Sequence, residues 1–207
     1  MLKRYLGLSL LAFLVITGLA GTIHNASISK PERKTALGLL KDSRIEVLNS
    51  VKDLSVQQLK FKSSENAASV KEVIFQIAAA EKNLWQAFEN AMEGQDTPDK
   101  RKDIKLTDAQ LINLVEKTEI NINTSNALFS GYSNFKSIQE ALQVFKSLRA
   151  AHIKYMKSST EDLRNHIVEM PFGYIDCYQL CLVMAVYSNS LVEKIEKIKT
   201  DPGFPKS

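Results

Sequence analysis

The fold of this chain is decided by residues 170–205, which read MPFGYIDCYQLCLVMAVYSNSLVEKIEKIKTDPGFP. Pro171 and Gly173 interrupt the preceding structure, and residues 174–199 contain neither proline nor glycine, which predicts one helix of about seven turns. Residues 175–187 are apolar on almost every side, and such a helix is normally enclosed by other helices. We therefore expect its first half to form the centre of a helical bundle, and its second half, which keeps only an apolar stripe, to lie at the edge.

The composition suits a single folded domain. The 207 residues are 44% hydrophobic and 24% charged, with only 8 Gly and 5 Pro, which is typical of one globular helical domain preceded by a leader. The formal net charge of +4 is small, and lysines alternate with acidic residues along the helix faces. A nucleic-acid partner is therefore not expected.

The first residues have the pattern of a targeting segment. Lys3 and Arg4 precede an apolar run over residues 5–20, which ends in Gly18-x-Ala20. This pattern predicts that residues 1–26 are a signal peptide cleaved near Ala20, with export to the periplasm or cell envelope. The alternative is an uncleaved N-terminal membrane anchor, because the run approaches the lower limit of roughly 17 to 20 residues for a membrane span. No cysteine follows the run, so a lipoprotein anchor is not indicated.

The remaining residues, 29–207, carry the periodicity and caps of a helical domain. Ser29 is an expected N-cap with Pro31 in the first turn of a helix that ends near Leu54. Residues 121–134 are predicted to be frayed helix and loop, and a short helix is expected over residues 163–167. Three Ser/Thr-x-x-Glu/Gln patterns predict capping boxes at further helix starts, namely Ser69 with Glu72, Thr107 with Gln110 and Ser137 with Glu140.

Four stretches of this sequence together resemble one protein family. They are MPFGYIDCYQL, AVYSNSLVEKIEKIK and DPGFP near the C-terminus and SVKEVIFQIAAAEKNLW on the second predicted helix. These stretches are similar to the signature of the DinB-like (DinB/YfiT) four-helix-bundle proteins. The resemblance implies an all-α fold, an antiparallel four-helix bundle over residues 29–207, preceded by the signal or anchor helix.

Members of this family bind a divalent metal such as Zn or Ni through three histidines, one on the second helix and two on the last. The resemblance places these positions at Gln76, Tyr187 and Leu191. An amide oxygen is a weak ligand, a phenol must lose a proton with a reference pKa of about 10, and leucine offers no ligand atom. We therefore expect neither a metal cofactor nor a catalytic residue at this site. We expect instead a hydrogen bond between Gln76 and Tyr187, with Leu191 filling the remaining space.

Two classes of function follow. The first is a non-catalytic module of the cell envelope that binds an unknown small molecule or protein in the groove around Gln76, Tyr187 and Asn189, or that serves as a scaffold. The second is a divalent-metal-dependent thiol transferase or hydrolase that uses altered ligands, including His152. Pairing of two copies through an exposed face is compatible with either class.

The cysteines and histidines favour structural roles. Cys177 and Cys181 are four residues apart on one helix, where a disulfide would distort the backbone, so both are interpreted as small buried hydrophobic residues. His152 lies on an apolar stripe and is expected to be buried and hydrogen-bonded. His166, near the Pro171 corner, is expected to bond a loop carbonyl.

Three further residues of the second helix are assigned to packing or to solvent. Trp85 is expected to pack at the rim of the bundle. Glu72 and Glu81 are expected on the exposed face, because charged residues of an amphipathic helix usually face water.

Overall fold

The computed structural model describes residues 28–117 and 135–206. The predicted signal or anchor segment, residues 1–26, and the predicted frayed stretch 121–134 lie outside the described residues. Among the helices of the described part, none combines the length and the apolar character needed to cross a membrane.

The described residues are mostly helical. Four long helices build the bundle, and two shorter helices, a 3-10 helix and a β-hairpin connect them. In chain order the elements are α1 Lys30–Ser50, α2 Val56–Lys60, α3 Val70–Glu93, the 3-10 helix Pro98–Asp103, α4 Asp108–Lys117, α5 Ile138–Ser158, β1 Ile167–Met170, β2 Gly173–Asp176 and α6 Cys177–Lys199.

Helix α6 is the centre of the bundle, as predicted. It packs against α1, α3 and α4, while α5 closes the bundle by packing against α1 and α3. Every residue from 177 to 188 is buried, whereas the second half of α6 buries only one stripe. The helix is enclosed where its sequence is apolar on all sides, and it reaches the surface where charged residues return.

The helices begin where the capping patterns predict. Ser29 with Glu32 and Ser69 with Glu72 form reciprocal capping boxes at the starts of α1 and α3. Thr107 and Gln110 bond each other in the same way before α4. At α5 only half of the predicted box forms, because Ser137 accepts from the Glu140 backbone while the Glu140 carboxylate accepts from Lys136 instead. Caps of this kind each contribute about 1 kcal/mol to helix stability.

The predicted helices around the Pro171 corner are wrong in part. Residues 167–170 and 173–176 form an antiparallel two-stranded hairpin, so the fold is not purely α-helical and α6 begins at Cys177 instead of residue 174. The predicted short helix 163–167 is a turn that leads into β1. Gly173 has φ +118°, which favours glycine, and the reciprocal capping box of Asp176 with Gln179 then starts α6.

Candidate functional site

The structure brings together two of the three positions at which the family resemblance places metal ligands. Gln76 on α3 faces Tyr187 on α6, and the Gln76 Nε2 group donates a hydrogen bond of 2.7 Å to the Tyr187 hydroxyl oxygen. Leu191 is buried one turn further along α6, on the same side of the helix as Tyr187. The predicted bond between the amide and the phenol is therefore present.

The chemistry of this pair does not fit a divalent metal. Burial raises the pKa of Tyr187 to about 12, so the phenol is neutral at physiological pH. The Gln76 amide presents a nitrogen donor to the phenol oxygen, and Leu191 has no ligand atom. A neutral phenol and a leucine offer no suitable ligand, and an amide oxygen is only a weak one, so these three side chains cannot replace three imidazoles.

A groove of about 230 Å³ opens beside this pair. Its rim carries an ion pair of 2.8 Å between Lys62 and Glu72. Lys194 follows Tyr187 by seven residues, which places both on one side of α6. The residues that line the groove are Lys62, Asn66, Ala67, Ala68, Glu72, Gln76 and Lys194.

Asn189, which was predicted to lie in this groove, does not line it. Asn189 follows Tyr187 by two residues, and a helix turns by about 200° over that distance. Its side chain therefore leaves α6 on the opposite side from Tyr187, where its Oδ1 atom is buried without a hydrogen-bond donor.

A second polar centre, which was not predicted from the sequence, lies deeper in the bundle. The guanidinium of Arg149 on α5 binds the carboxylate of Glu81 on α3 through two hydrogen bonds, of 2.7 Å from Nε and 2.6 Å from the Nη2 nitrogen. The remaining Arg149 N–H groups reach Ser43, Ser188 and the Leu40 carbonyl. Both side chains are fully buried, which corrects the expectation that Glu81 faces water.

His152 completes this buried network. Its Nδ1 atom lies 2.7 Å from Glu81 Oε1, and its ring stacks on Trp85 with 3.8 Å between the ring centroids. Burial alone would raise the pKa of Glu81, but Arg149 and His152 lower it to about 2, so Glu81 is ionised. The expectation of a buried, hydrogen-bonded His152 is confirmed, and Trp85 packs between His152 and Phe88.

The sequence does contain a signal for this network. Glu81 recurs with Ile74, Ile77 and Leu84 on the apolar side of α3, and Arg149 stands between Phe145 and His152 on the apolar side of α5. An acidic and a basic residue that each interrupt a buried stripe predict a buried pair, since an isolated buried charge is too costly to keep.

A third polar cluster fixes one end of the bundle. Arg164, in the turn before β1, contacts Glu32 at 2.5 Å, Asp108 at 2.7 Å and Asp176 at 2.9 Å. These carboxylates belong to the beginnings of α1, α4 and α6, so one guanidinium holds three helix starts together. It also lies over the ring of Tyr178, 4.1 Å from the centroid. Its position and partners indicate a structural role.

The interpretation of the cysteines is confirmed, whereas His166 bonds a helix carbonyl instead of the predicted loop carbonyl. Cys177 and Cys181 are free thiols in the core, and burial raises the pKa of Cys177 to about 12. The His166 Nδ1 atom lies 2.7 Å from the Ala91 carbonyl oxygen at the end of α3. Within the described ranges, no three His, Cys, Asp or Glu side chains are grouped so as to hold a metal ion.

Comparison with solved structures relates this fold to a known bundle. The chain is similar to YfiT from Bacillus subtilis, described as a probable metal-dependent hydrolase with an unusual four-helix bundle topology. The match has a TM-score of 0.60 and 14% identity, and it covers 86% of this chain and 92% of that chain. No protein-family model and no curated protein matches the chain. The chain therefore has the DinB-like four-helix-bundle fold that the resemblance predicted.

Proposed function

We propose that this protein is a binding domain that works without a divalent metal and takes a small anionic ligand in the groove beside Gln76. The observation that carries the proposal is the 2.7 Å hydrogen bond between Gln76 and Tyr187. It joins two positions that hold imidazole ligands in the proteins that the sequence resembles. A neutral amide and a neutral phenol bonded to each other can shape a pocket but cannot activate water at neutral pH.

The groove supports an anionic ligand through its charges. Lys194 forms no ion pair with another described residue, and Lys62 is paired with one oxygen of Glu72, whose other oxygen caps α3. Amide groups of Asn66 and Gln76 add hydrogen-bonding capacity at the same opening. A ligand with one carboxylate and a short polar body matches this set of groups.

The N-terminal sequence supports a location for this activity. The basic and apolar pattern of residues 1–26 favours export to the cell envelope or attachment to a membrane, so the proposed ligand is one that an envelope protein would meet.

The alternative function is a metal-dependent hydrolase or thiol transferase that uses His152. It is favoured by the description of YfiT as a probable metal-dependent hydrolase and by the buried His152 Nε2 atom, which has no hydrogen-bond partner. Against it, His152 is only 1% exposed and is covered by Trp85, so a substrate could reach it only if the core opened.

Metal analysis of the purified full-length chain separates the two functions. We expect substoichiometric Zn, Ni and Mn after dialysis and an unchanged melting temperature when a chelator is added. The positive control is the triple variant Gln76→His, Tyr187→His and Leu191→His, which should bind Ni²⁺ because it restores three imidazoles on the facing sides of α3 and α6. Near-stoichiometric metal in the unmodified chain would overturn the proposal, and failure of the triple variant to bind would show that these positions do not converge.

Thermal unfolding with acetate, succinate and citrate tests the ligand class. A ligand at one hundred times its Kd stabilises the folded state by about 2.7 kcal/mol, which for a chain of this size raises Tm by roughly 5 to 10 °C. Lys194→Gln should reduce this shift, whereas Lys157→Gln, an exposed lysine at the end of α5, should leave it unchanged. A shift that Lys194→Gln does not alter, or no shift with any of the three acids, contradicts the proposed ligand class.

A further inference from the structure

Helix α1 has an exposed, lysine-rich face opposite its buried side. Its buried residues recur on one side and pack against α5 and α6. On the opposite side, three lysines alternate with apolar residues, and we call this set the outward stripe. The buried side consists of Ala36, Leu40, Ser43, Val47 and Ser50. The outward stripe consists of Lys30, Lys34, Leu37, Gly38, Lys41 and Ile45.

Part of the outward stripe forms a shallow depression whose lining includes lysine side chains. A depression of about 450 Å³ runs over Leu37 and Gly38 and is lined by the three lysines and Arg33. An added Cβ at Gly38 would meet nothing within 4 Å, so the floor is open to a partner. Ile45 continues the stripe and is 53% exposed, which is unusual for a large apolar side chain in a bundle.

The charge of the stripe is unbalanced locally. Within the described residues, Lys30, Lys34 and Lys41 take part in no hydrogen bond or ion pair between side chains. Their long apolar stems can lie along the depression while the ammonium groups extend to its border. Asp42 and Glu46 lie towards one flank of the helix and do not interrupt the stripe.

We propose that the outward stripe rests on the surface of an anionic phospholipid membrane. Lys30, Lys34 and Lys41 lie along the midline of this face, with Leu37 and Ile45 on either side of it. The ammonium groups can therefore bind the headgroup phosphates while the lysine stems and Ile45 reach the boundary of the acyl chains. A second copy of the chain fits less well, because a twofold contact through this stripe would bring the same three lysines against each other.

The sequence before α1 supports the choice of a membrane. The apolar run over residues 5–20 ends shortly before Lys30, and residues 21–29 can span roughly 30 Å when extended. Where the run is kept as the anchor, its contact with a bilayer would hold the outward stripe within reach of the same surface. The run itself carries no acidic residue, so it does not complement the lysines as an anionic surface does.

A site-specific label tests the proposal in the full-length chain. Ile45→Cys carries a bimane fluorophore on the stripe, and Val56→Cys carries the same fluorophore on α2, where Val56 is 65% exposed. The native cysteines Cys177 and Cys181 are buried, so the introduced thiol reacts selectively under native conditions. The protein is added to vesicles of brominated phosphatidylcholine, either alone or mixed with phosphatidylglycerol.

The Ile45 label should be quenched by the vesicles that contain phosphatidylglycerol, and this quenching should disappear at high salt. The Val56 label should not be quenched. Replacing Lys30, Lys34 and Lys41 by glutamine should lower the ratio of vesicle-bound to free protein roughly a hundredfold. Each lysine near an anionic surface contributes about fivefold to this ratio. The matched control replaces the exposed α5 lysines Lys146, Lys154 and Lys157 and should change this ratio little.

Four results would overturn the proposal. They are equal quenching of the Ile45 label on phosphatidylcholine alone, equal quenching at Val56, absence of quenching on both vesicles, and shielding of the Ile45 label from an aqueous quencher before vesicles are added. Shielding that rises with protein concentration would assign the stripe to a second copy. Shielding independent of concentration would assign it to the chain's own N-terminal residues.

Discussion

Two polar contacts of α3 lie little more than one helical turn apart and have opposite characters. Glu81 meets Arg149 and His152 in the closed core, where the ionised groups are fully buried and the guanidinium uses all of its donor groups. Gln76 meets Tyr187 through one neutral hydrogen bond beside a groove. The same helix therefore supplies a saturated charged contact and a neutral contact with access to solvent.

The difference between these two contacts assigns stability to the Glu81 contact and ligand binding to the Gln76 contact. A buried ion pair that loses one member leaves the other charge without compensation, so this contact tolerates little change. A neutral pair beside water can exchange its partner for water or for a ligand at small cost. We therefore expect the Glu81 network to hold the bundle together and the Gln76 pair to be the place where the protein can bind.

The largest effect is expected from Arg149→Met. Removing the guanidinium leaves the Glu81 carboxylate buried without its ion-pair partner, which should lower the free energy of unfolding by about 3 to 5 kcal/mol. Chemical denaturation measures this loss. Lys146→Met, on the exposed side of the same helix, should change stability by less than about 0.5 kcal/mol.

The double variant Glu81→Leu with Arg149→Met sharpens this prediction. It removes both charges, so it should lose much less stability than the sum of the two single variants. Additive losses would mean that Glu81 and Arg149 do not depend on each other, and the contrast between the two contacts of α3 would then fail.

The next effect is the dependence of stability on acid. The folded pKa of Glu81 is about 2 against an ordinary value of 4.5, so the folded state binds this proton more weakly than the unfolded state does. Its contribution of roughly 3 kcal/mol is present above pH 4.5 and is lost as pH falls towards 2. Glu81→Gln should flatten the fall in the free energy of unfolding over this range, measured by denaturation at a series of pH values. Glu193→Gln, an exposed substitution on α6, should leave the slope unchanged, and an equal slope in both variants would contradict the prediction.

The sequence predicted the starts of α1, α3, α4 and α5 well because capping is local. Ser69 and Glu72 are three residues apart, and their bonds depend on no other part of the chain. The hairpin before α6 was not predicted, since four-residue strands are too short to establish an alternating pattern. Pro171 and Gly173 indicated an interruption there but not the pairing on its two sides.

The candidate site was predicted only through resemblance. Gln76 and Tyr187 meet across 111 residues of sequence, so no local spacing could have joined them. Glu81 was assigned to the exposed face on composition, although its position among Ile77 and Leu84 placed it on the buried side of α3. Partners that lie far apart in sequence must be inferred from the faces of their helices and not from residue type alone.

The smallest effect is expected from Tyr187→Phe, which removes the hydroxyl that accepts the Gln76 hydrogen bond. Because Gln76 lies at the groove and can bond water instead, the free energy of unfolding should fall by only about 0.5 to 1.5 kcal/mol. Tyr178→Phe is the matched control on the same helix, because its hydroxyl bonds the fixed Glu32 carbonyl at 3.0 Å. Its cost should be equal or greater.

The alkaline side gives an independent reading of the same contact. The folded pKa of Tyr187 is raised to about 12 from an ordinary value of 10.0, so its contribution is present below pH 10 and is lost as pH rises towards 12. Tyr187→Phe should remove that part of the alkaline loss of stability while leaving the loss at acid pH unchanged.

If Tyr187→Phe lowered the free energy of unfolding as much as Arg149→Met does, water would not be able to replace the phenol at Gln76. The groove would then be closed to a ligand at that point, and the division between a stabilising and a binding contact would not hold.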